Sequence, residues 1–216
     1  MEIIGIIDYG SGNLHSVTKA FETVANQIKK EIKVMRISDS KHVSKCDRVI
    51  LPGVGTFNDC KIGIEEVDNL TFELEKKIIK EANPYLGICV GMQLLADKGF
   101  EGRETTGFGW ISGHVEKIPI KKNIKIPHMG WNTVDFHKEH EILKNIQKDK
   151  REMIVYFVHS YQFELTSNTN LLGSCDYGSR ITALIEKDNI IGCQFHPEKS
   201  QKAGLEFINN FINWYP

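Results

Sequence analysis

No run of apolar residues in this chain approaches the roughly 20 that a membrane-spanning helix needs, so nothing in its 216 residues points to a bilayer. No charge of one sign dominates either. Lys and Arg number 27 against 28 Asp and Glu, a net of −1, which excludes the strongly basic footprint of a nucleic-acid or membrane-surface binder. Lysines gather locally at 117–125 and 144–151, and such clusters read as solvated faces. Cysteine is scarce and badly spaced for cross-linking. The five stand at 46, 60, 89, 175 and 193, an odd number without a C-x-x-C pair, which argues against a disulfide framework and a thiolate metal site. A reducing cytoplasm suits such usage, and no metal or other cofactor is expected. The opening MEIIGIIDYG lacks the basic start and cleavage site of a signal peptide and reads as a first strand. Linkers, repeats and low-complexity tracts are missing too, so one domain over 1–216 is expected.

What is present is a repeated alternation. Ile3 to Asp8 is a short, β-branched apolar run of the kind buried on both faces of a parallel sheet. The turn YGSGN follows, and then apolar residues at 14, 17, 20, 21, 24, 25 and 28 fall at helical spacing. Strands are expected at Ile32 to Ile37, Arg48 to Leu51 and Tyr85 to Ile88, and helices over Leu70 to Glu81 and from Val90 to about Ala96. From Gly107 to Cys193 the pattern changes to short extended stretches (HVEKIPI, NTVDF, MIVYFVHSYQF, ITALIEK, IIGCQF) separated by turns, and Leu205 to Trp214 reads as a closing helix. The fold class is α/β: an open, mostly parallel sheet flanked by helices, with an antiparallel β extension in the second half.

Three stretches could carry chemistry. In GICVG, Cys89 has a glycine two residues to either side, the steric arrangement of a strand-to-helix elbow that lifts a nucleophile clear of a sheet. A helix starting after it would lower the thiol pKa. The other reading is a small core residue. In QFHPEKS, His196 stands at the end of an apolar run, before a proline that disfavours helical geometry there. Glu198 follows two residues later and could orient the imidazole, as the third member of a triad does. Alone, the segment also reads as a surface turn. In LPGVGTF, Gly53, Val54 and Gly55 let the backbone expose amide N–H groups that could hold an oxyanion, or simply form a loop. The G-K-[ST] ending of a phosphate loop is missing. Cys89 and His196 stand 107 positions apart, so only the fold can bring them together.

With PGVG, GICVGMQLL and QFHPEKS in this order, the chain resembles the class I glutamine amidotransferases, and within them the branch that forms the glutaminase subunit of imidazole glycerol phosphate synthases. IIDYGSGNLHSV, GFGWISGHV, IPHMGWN and YFVHSY extend the likeness over almost the whole length. The resemblance implies a flavodoxin-like fold and a Cys89–His196–Glu198 triad that hydrolyses L-glutamine to glutamate and ammonia through a γ-glutamyl thioester. It implies an oxyanion hole at Gly53, Val54, Gly55 and Val90, and a hold on the substrate by Gln93. It further implies a heterodimer with a (β/α)8-barrel cyclase, which receives the ammonia to make imidazole glycerol phosphate and aminoimidazole carboxamide ribonucleotide in histidine biosynthesis. Asn13, His128, Trp131, Tyr156 and Lys199 would lie near that interface, with Trp131 at the ammonia passage. Neither nucleic acid nor membrane is an expected partner. Paralogues of the branch supply ammonia for amidino sugars of surface polysaccharide, which is the other pathway open to this chemistry. The chain departs from the commonest pattern in having Val90 for leucine after the nucleophile. In its first loop, Ser11 stands for methionine or proline and His15 for arginine.

Overall fold

The computed structural model describes residues 1–28, 30–120, 124–146 and 152–216. The lysine clusters fall partly outside them, at 121–122, 148 and 150–151. Five strands run parallel: β1 (Glu2–Ile7), β2 (Ile32–Ile37), β3 (Arg48–Gly53), β4 (Tyr85–Cys89) and β13 (Ile190–Cys193). Their apolar runs are continuous because both faces are covered: every residue of β3, β4 and β13 is buried.

The sheet continues antiparallel through β12 (Arg180–Lys187), β11 (Leu171–Asp176), β8 (His128–Phe136) and β9 (Glu152–His159). Its full order is β2-β1-β3-β4-β13-β12-β11-β8-β9. The antiparallel extension is therefore in-plane with the parallel half and nearly as wide. A second, four-stranded sheet joins β10 (Tyr161–Leu165), β7 (Gly113–Lys117), β5 (Lys98–Gly99) and β6 (Thr105–Thr106). Sequence patterning does not separate it from the main sheet, because two of its strands have only two residues each.

The helices form two groups. α1 (Leu14–Gln27) buries Val17, Phe21, Val24 and Ala25 on one stripe and packs against α5 (Gln201–Asn213). α2 (Phe57–Glu66) packs on α3 (Leu70–Glu75) and α4 (Val90–Gln93). α2 was not anticipated, although Thr56 marks its start by accepting a hydrogen bond from Asp59 N at 3.0 Å. The helix expected over 70–81 does continue past α3, but as a π turn at Lys76–Lys80, where Glu81 N donates to Lys76 O. Among the described residues no helix is long and apolar enough to cross a membrane.

Candidate active site

The site lies at the carboxyl ends of β3, β4 and β13, the edge where open α/β sheets place their ligands. Cys89 pairs with Gly53 across β3–β4, and Ile88 pairs with Cys193 across β4–β13. This adjacency brings the segment after Cys193 against Cys89, closing the 107-residue gap.

Cys89 has φ 55° and ψ −111°, a left-handed conformation that a side chain adopts only under strain. Both flanking glycines are needed for the elbow. An added Cβ on Gly87 would lie 2.5 Å from Gly91 O, and one on Gly91 would overlap the Leu51 carbonyl oxygen. α4 spans only four residues, however, so the dipole expected to act on the sulfur is a weak one. A side-chain donor is present instead: Gln194 Nε2 donates to Cys89 Sγ at 3.6 Å.

His196 is extended, as the following proline requires (φ −100°, ψ 97°). The chain does not stay extended to Glu198. Residues Pro197–Lys199 form a 3-10 turn, and this folds the carboxylate back to His196 Nδ1, where Oε1 lies at 2.8 Å. A carboxylate only accepts, so Nδ1 carries the proton and Nε2 is left open. Among the described residues Nε2 makes no well-aligned hydrogen bond, but it lines the same cavity as Cys89, whose sulfur is near enough to act on the ring. Burial disfavours the charged imidazole. Hydrogen bonding and negative charge at Cys89 and Glu198 outweigh it and raise the His196 pKa above its ordinary value. The arrangement can hold an imidazolium beside a thiolate, which is the resting form of a cysteine nucleophile with its base.

These side chains open on a cavity of about 420 Å³ that also includes Val54, Gly55, Val90, Gln93, Glu101, Tyr161 and Lys199. The loop after β3 is tied down from beneath. Tyr9 Oη donates to Pro52 O at 2.8 Å, Ser11 Oγ to Val54 O at 2.5 Å, and Cys60 Sγ to Val54 O at 3.4 Å. In a trans peptide the C=O and the next N–H point in opposite directions. With the Val54 carbonyl held toward Ser11, the Gly55 N–H turns away from it, and Gly55, at φ +102°, lines the cavity. Gly53 does not line it. It is packed under the elbow, where an added Cβ would sit 2.9 Å from Val90 Cβ.

Gln93 lies in the cavity wall, its Nε2 donating to Tyr161 O at 3.0 Å and to Gln194 Oε1 at 2.9 Å. Sequence reasoning missed Gln194 although it adjoins the HPE motif. It also missed Glu101, a half-buried cavity carboxylate whose pKa is raised by burial despite the 2.8 Å hydrogen bond it accepts from Phe57 N. No sequence signal marked Glu101.

The residues expected at an interface are split. Trp131 is 48% exposed and meets Tyr156 edge-on at 6.0 Å across β8–β9, beside Met129 and Ile154, which are 60% and 57% exposed. Lys199 Nζ stands 5.9 Å over the Tyr156 ring. Tyr156 is also bonded to the turn that carries the imidazole. Its carbonyl accepts from His196 N at 2.9 Å and its N–H donates to Ser200 Oγ at 3.0 Å, which in turn donates to His196 O at 2.7 Å. Asn13 caps α1, accepting from Ser16 N at 3.4 Å. His128 is not at the surface. It is 2% exposed, stacked between Phe157 and Tyr177, and its Nδ1 lies 2.9 Å from His159 Nε2. His159 Nδ1 in turn donates to Tyr161 O at 2.9 Å. Burial lowers His128 to about 4 and His159 to about 3, so both are neutral. Among the described residues no group of three or more His, Cys, Asp or Glu could hold a metal ion.

Comparison with known proteins agrees with this geometry. The family model described as glutamine amidotransferase class-I matches residues 5–214. Imidazole glycerol phosphate synthase subunit HisH of Rhodopseudomonas palustris is 45% identical over 214 residues, 99% of each chain. The protein of the same name from Rhodospirillum rubrum is 48% identical over 217 residues, also 99% of each. Among solved structures, a glutamine amidotransferase superposes with a TM-score of 0.70 at 16% identity, covering 97% of this chain and 98% of that one. PurLQS from Thermotoga maritima gives 0.69 at 17% identity and 98% of each chain, a likeness of fold alone. The chain belongs to the class I glutamine amidotransferase family.

Proposed function

We propose that the protein is the glutaminase subunit of an imidazole glycerol phosphate synthase and that it feeds ammonia to a (β/α)8-barrel cyclase. The observation that carries the chemistry is the strained elbow at Cys89 beside a histidine whose Nδ1 is committed to Glu198 and whose Nε2 is open. The Cys89 thiolate attacks the side-chain amide carbon of L-glutamine. Negative charge develops on the carbonyl oxygen, toward the N–H groups of Val90 and Gly55. His196 delivers its proton to the departing nitrogen, and ammonia leaves a γ-glutamyl thioester. A water, deprotonated by His196, then attacks the thioester carbon. The C–S bond breaks with its electron pair on sulfur, and glutamate is released. Gln93 and Glu101 line the substrate cavity, and Glu101 supplies a carboxylate for the α-ammonium group.

The choice of partner is supported by full-length relatives named as subunits of that synthase. The exposed apolar face of Met129, Trp131 and Ile154 suits a protein partner. The test is glutamate release from glutamine with and without the purified cyclase. Cys89→Ala is expected to abolish release, and the cyclase is expected to stimulate the wild type strongly. Turnover persisting in Cys89→Ala removes the nucleophile assignment, and an unstimulated wild type removes the partner.

A further inference from the structure

Gln194 is fully buried and lines no part of the cavity, yet its amide reaches the sulfur of Cys89. Its orientation is dictated from a distance. The Tyr161 carbonyl can only accept, so Gln93 must turn its Nε2 toward it, at 3.0 Å. That same Nε2 donates to Gln194 Oε1 at 2.9 Å, and Gln194 must then present Nε2 to Cys89. The Tyr161 carbonyl is itself fixed by a second donor, His159 Nδ1. Flipping either amide would set donor against donor or acceptor against acceptor in a dry interior.

We propose that Gln194 is a positioning residue of the nucleophile: its amide N–H fixes the direction of the Cys89 sulfur and favours the anion over the thiol. A hydrogen bond to a charged sulfur is stronger than one to a neutral one, so the donor acts whenever negative charge sits there. It does so in the resting thiolate and again when the sulfur leaves the thioester. It replaces the help that the four-residue α4 is too short to give. The proposal rests on Cys89 being the nucleophile. Around the sulfur, the turn after β13 contributes His196 and Glu198, β13 contributes Cys193, α2 contributes Cys60, and the cavity adds Glu101 and Lys199. Burial pushes the Cys60 and Cys193 thiols up, which keeps them protonated. His196, and Glu101 with its raised pKa toward the acid end of the range, are left as the groups whose charge changes around the sulfur.

The experiment is iodoacetamide alkylation of the full-length protein between pH 5 and 9, with Cys89 modification read by mass spectrometry in wild type, Gln194→Met and Gln194→Glu. The midpoint is expected to rise by about one unit in Gln194→Met and further in Gln194→Glu, which sets a second negative charge at the sulfur. One unit makes alkylation below the midpoint about tenfold slower. kcat for glutamine is expected to fall with it while KM stays within about twofold, because the interaction grows only as charge develops on sulfur. A merely structural role would not move the alkylation midpoint. Should Gln194→Met not fold, Gln194→Glu keeps the volume and the bond accepted from Gln93, and it is read in the same assay. An unmoved midpoint alongside an inactive Cys89→Ala overturns the role of Gln194 alone. An active Cys89→Ala overturns the nucleophile assignment beneath it.

Discussion

Replacing Cys89 by glycine is expected to give a more stable protein than replacing it by alanine, the reverse of the usual order. Both variants lose the thiol and the bond from Gln194, so their difference isolates the Cβ. At φ 55° and ψ −111° that Cβ is a source of strain, and residues held in such regions cost on the order of 1–3 kcal/mol. Glycine removes this cost but makes the unfolded chain freer, which opposes it by about 0.4–1 kcal/mol. The balance favours glycine by about 1 kcal/mol, or roughly 2–4 °C in melting temperature for a chain of this size. Differential scanning calorimetry of the two variants reads the difference. The same pair at Cys175, buried within β11, serves as the reference, and there alanine is expected to melt higher. A Cys89→Gly protein melting below Cys89→Ala would refute the claim that the elbow is strained.

Three further outcomes follow from the site. Glu101→Gln is expected to raise KM for glutamine about 10–100-fold with little change in kcat, the loss of a hydrogen bond to a charged group; an unchanged KM in steady-state kinetics would remove Glu101 from substrate recognition. Ser11→Ala frees the Val54 carbonyl from its hydroxyl donor and is expected to lower cyclase-stimulated kcat about 2–10-fold, the worth of one net hydrogen bond; kcat equal to wild type would show that the clamp does not hold the oxyanion loop. Acid should destabilise the fold through the paired histidines. Their folded pKa values, about 4 for His128 and about 3 for His159, lie below the unfolded value near 6.5. The unfolded chain therefore takes up protons first, and stability present above pH 6.5 is lost as pH falls toward 4. The loss is on the order of 3 kcal/mol from His128 alone. Urea midpoints at pH 7.5 and 5 read about 2 kcal/mol of it, the part lost by pH 5, and His128→Gln should shrink the difference, leaving the share of His159.

The parallel half of the fold was legible because strands buried on both faces write continuous apolar runs, as in Ile4, Ile6 and Ile7 or in Val49 to Leu51. The small second sheet was not, since a two-residue strand leaves no period to read. Cys89, His196 and Glu198 were legible as motifs, but their meeting depended on β4 and β13 being neighbours, which no local pattern encodes. Even the route from His196 to Glu198 differed, because a 3-10 turn rather than an extended chain closes it. The parts that stayed hidden are those set by hydrogen-bond direction. Nothing in Gln93, Gln194 or Tyr161 separately says which way an amide faces. His128, read as an interface residue, is drawn inside by stacking and by its pairing with His159.

The backbone bonds of Tyr156 have a thermodynamic corollary. β9, which shows Tyr156 to the outside beside Trp131 of β8, holds the imidazole turn through His196 N and Ser200 Oγ. Any displacement of β9 that a docked protein favours is thus one the base must follow, and any placement of the base that the reaction favours is one β9 must follow. Coupling of this kind is reciprocal: each ligand changes the other's affinity by one shared factor. A protein whose Cys89 is covalently capped by a glutamine-like acyl group should bind the cyclase more tightly than the free protein. The ratio of the two dissociation constants would equal the factor by which the cyclase shifts the equilibrium for forming that same adduct, and a ratio of one would show that the two surfaces are not linked.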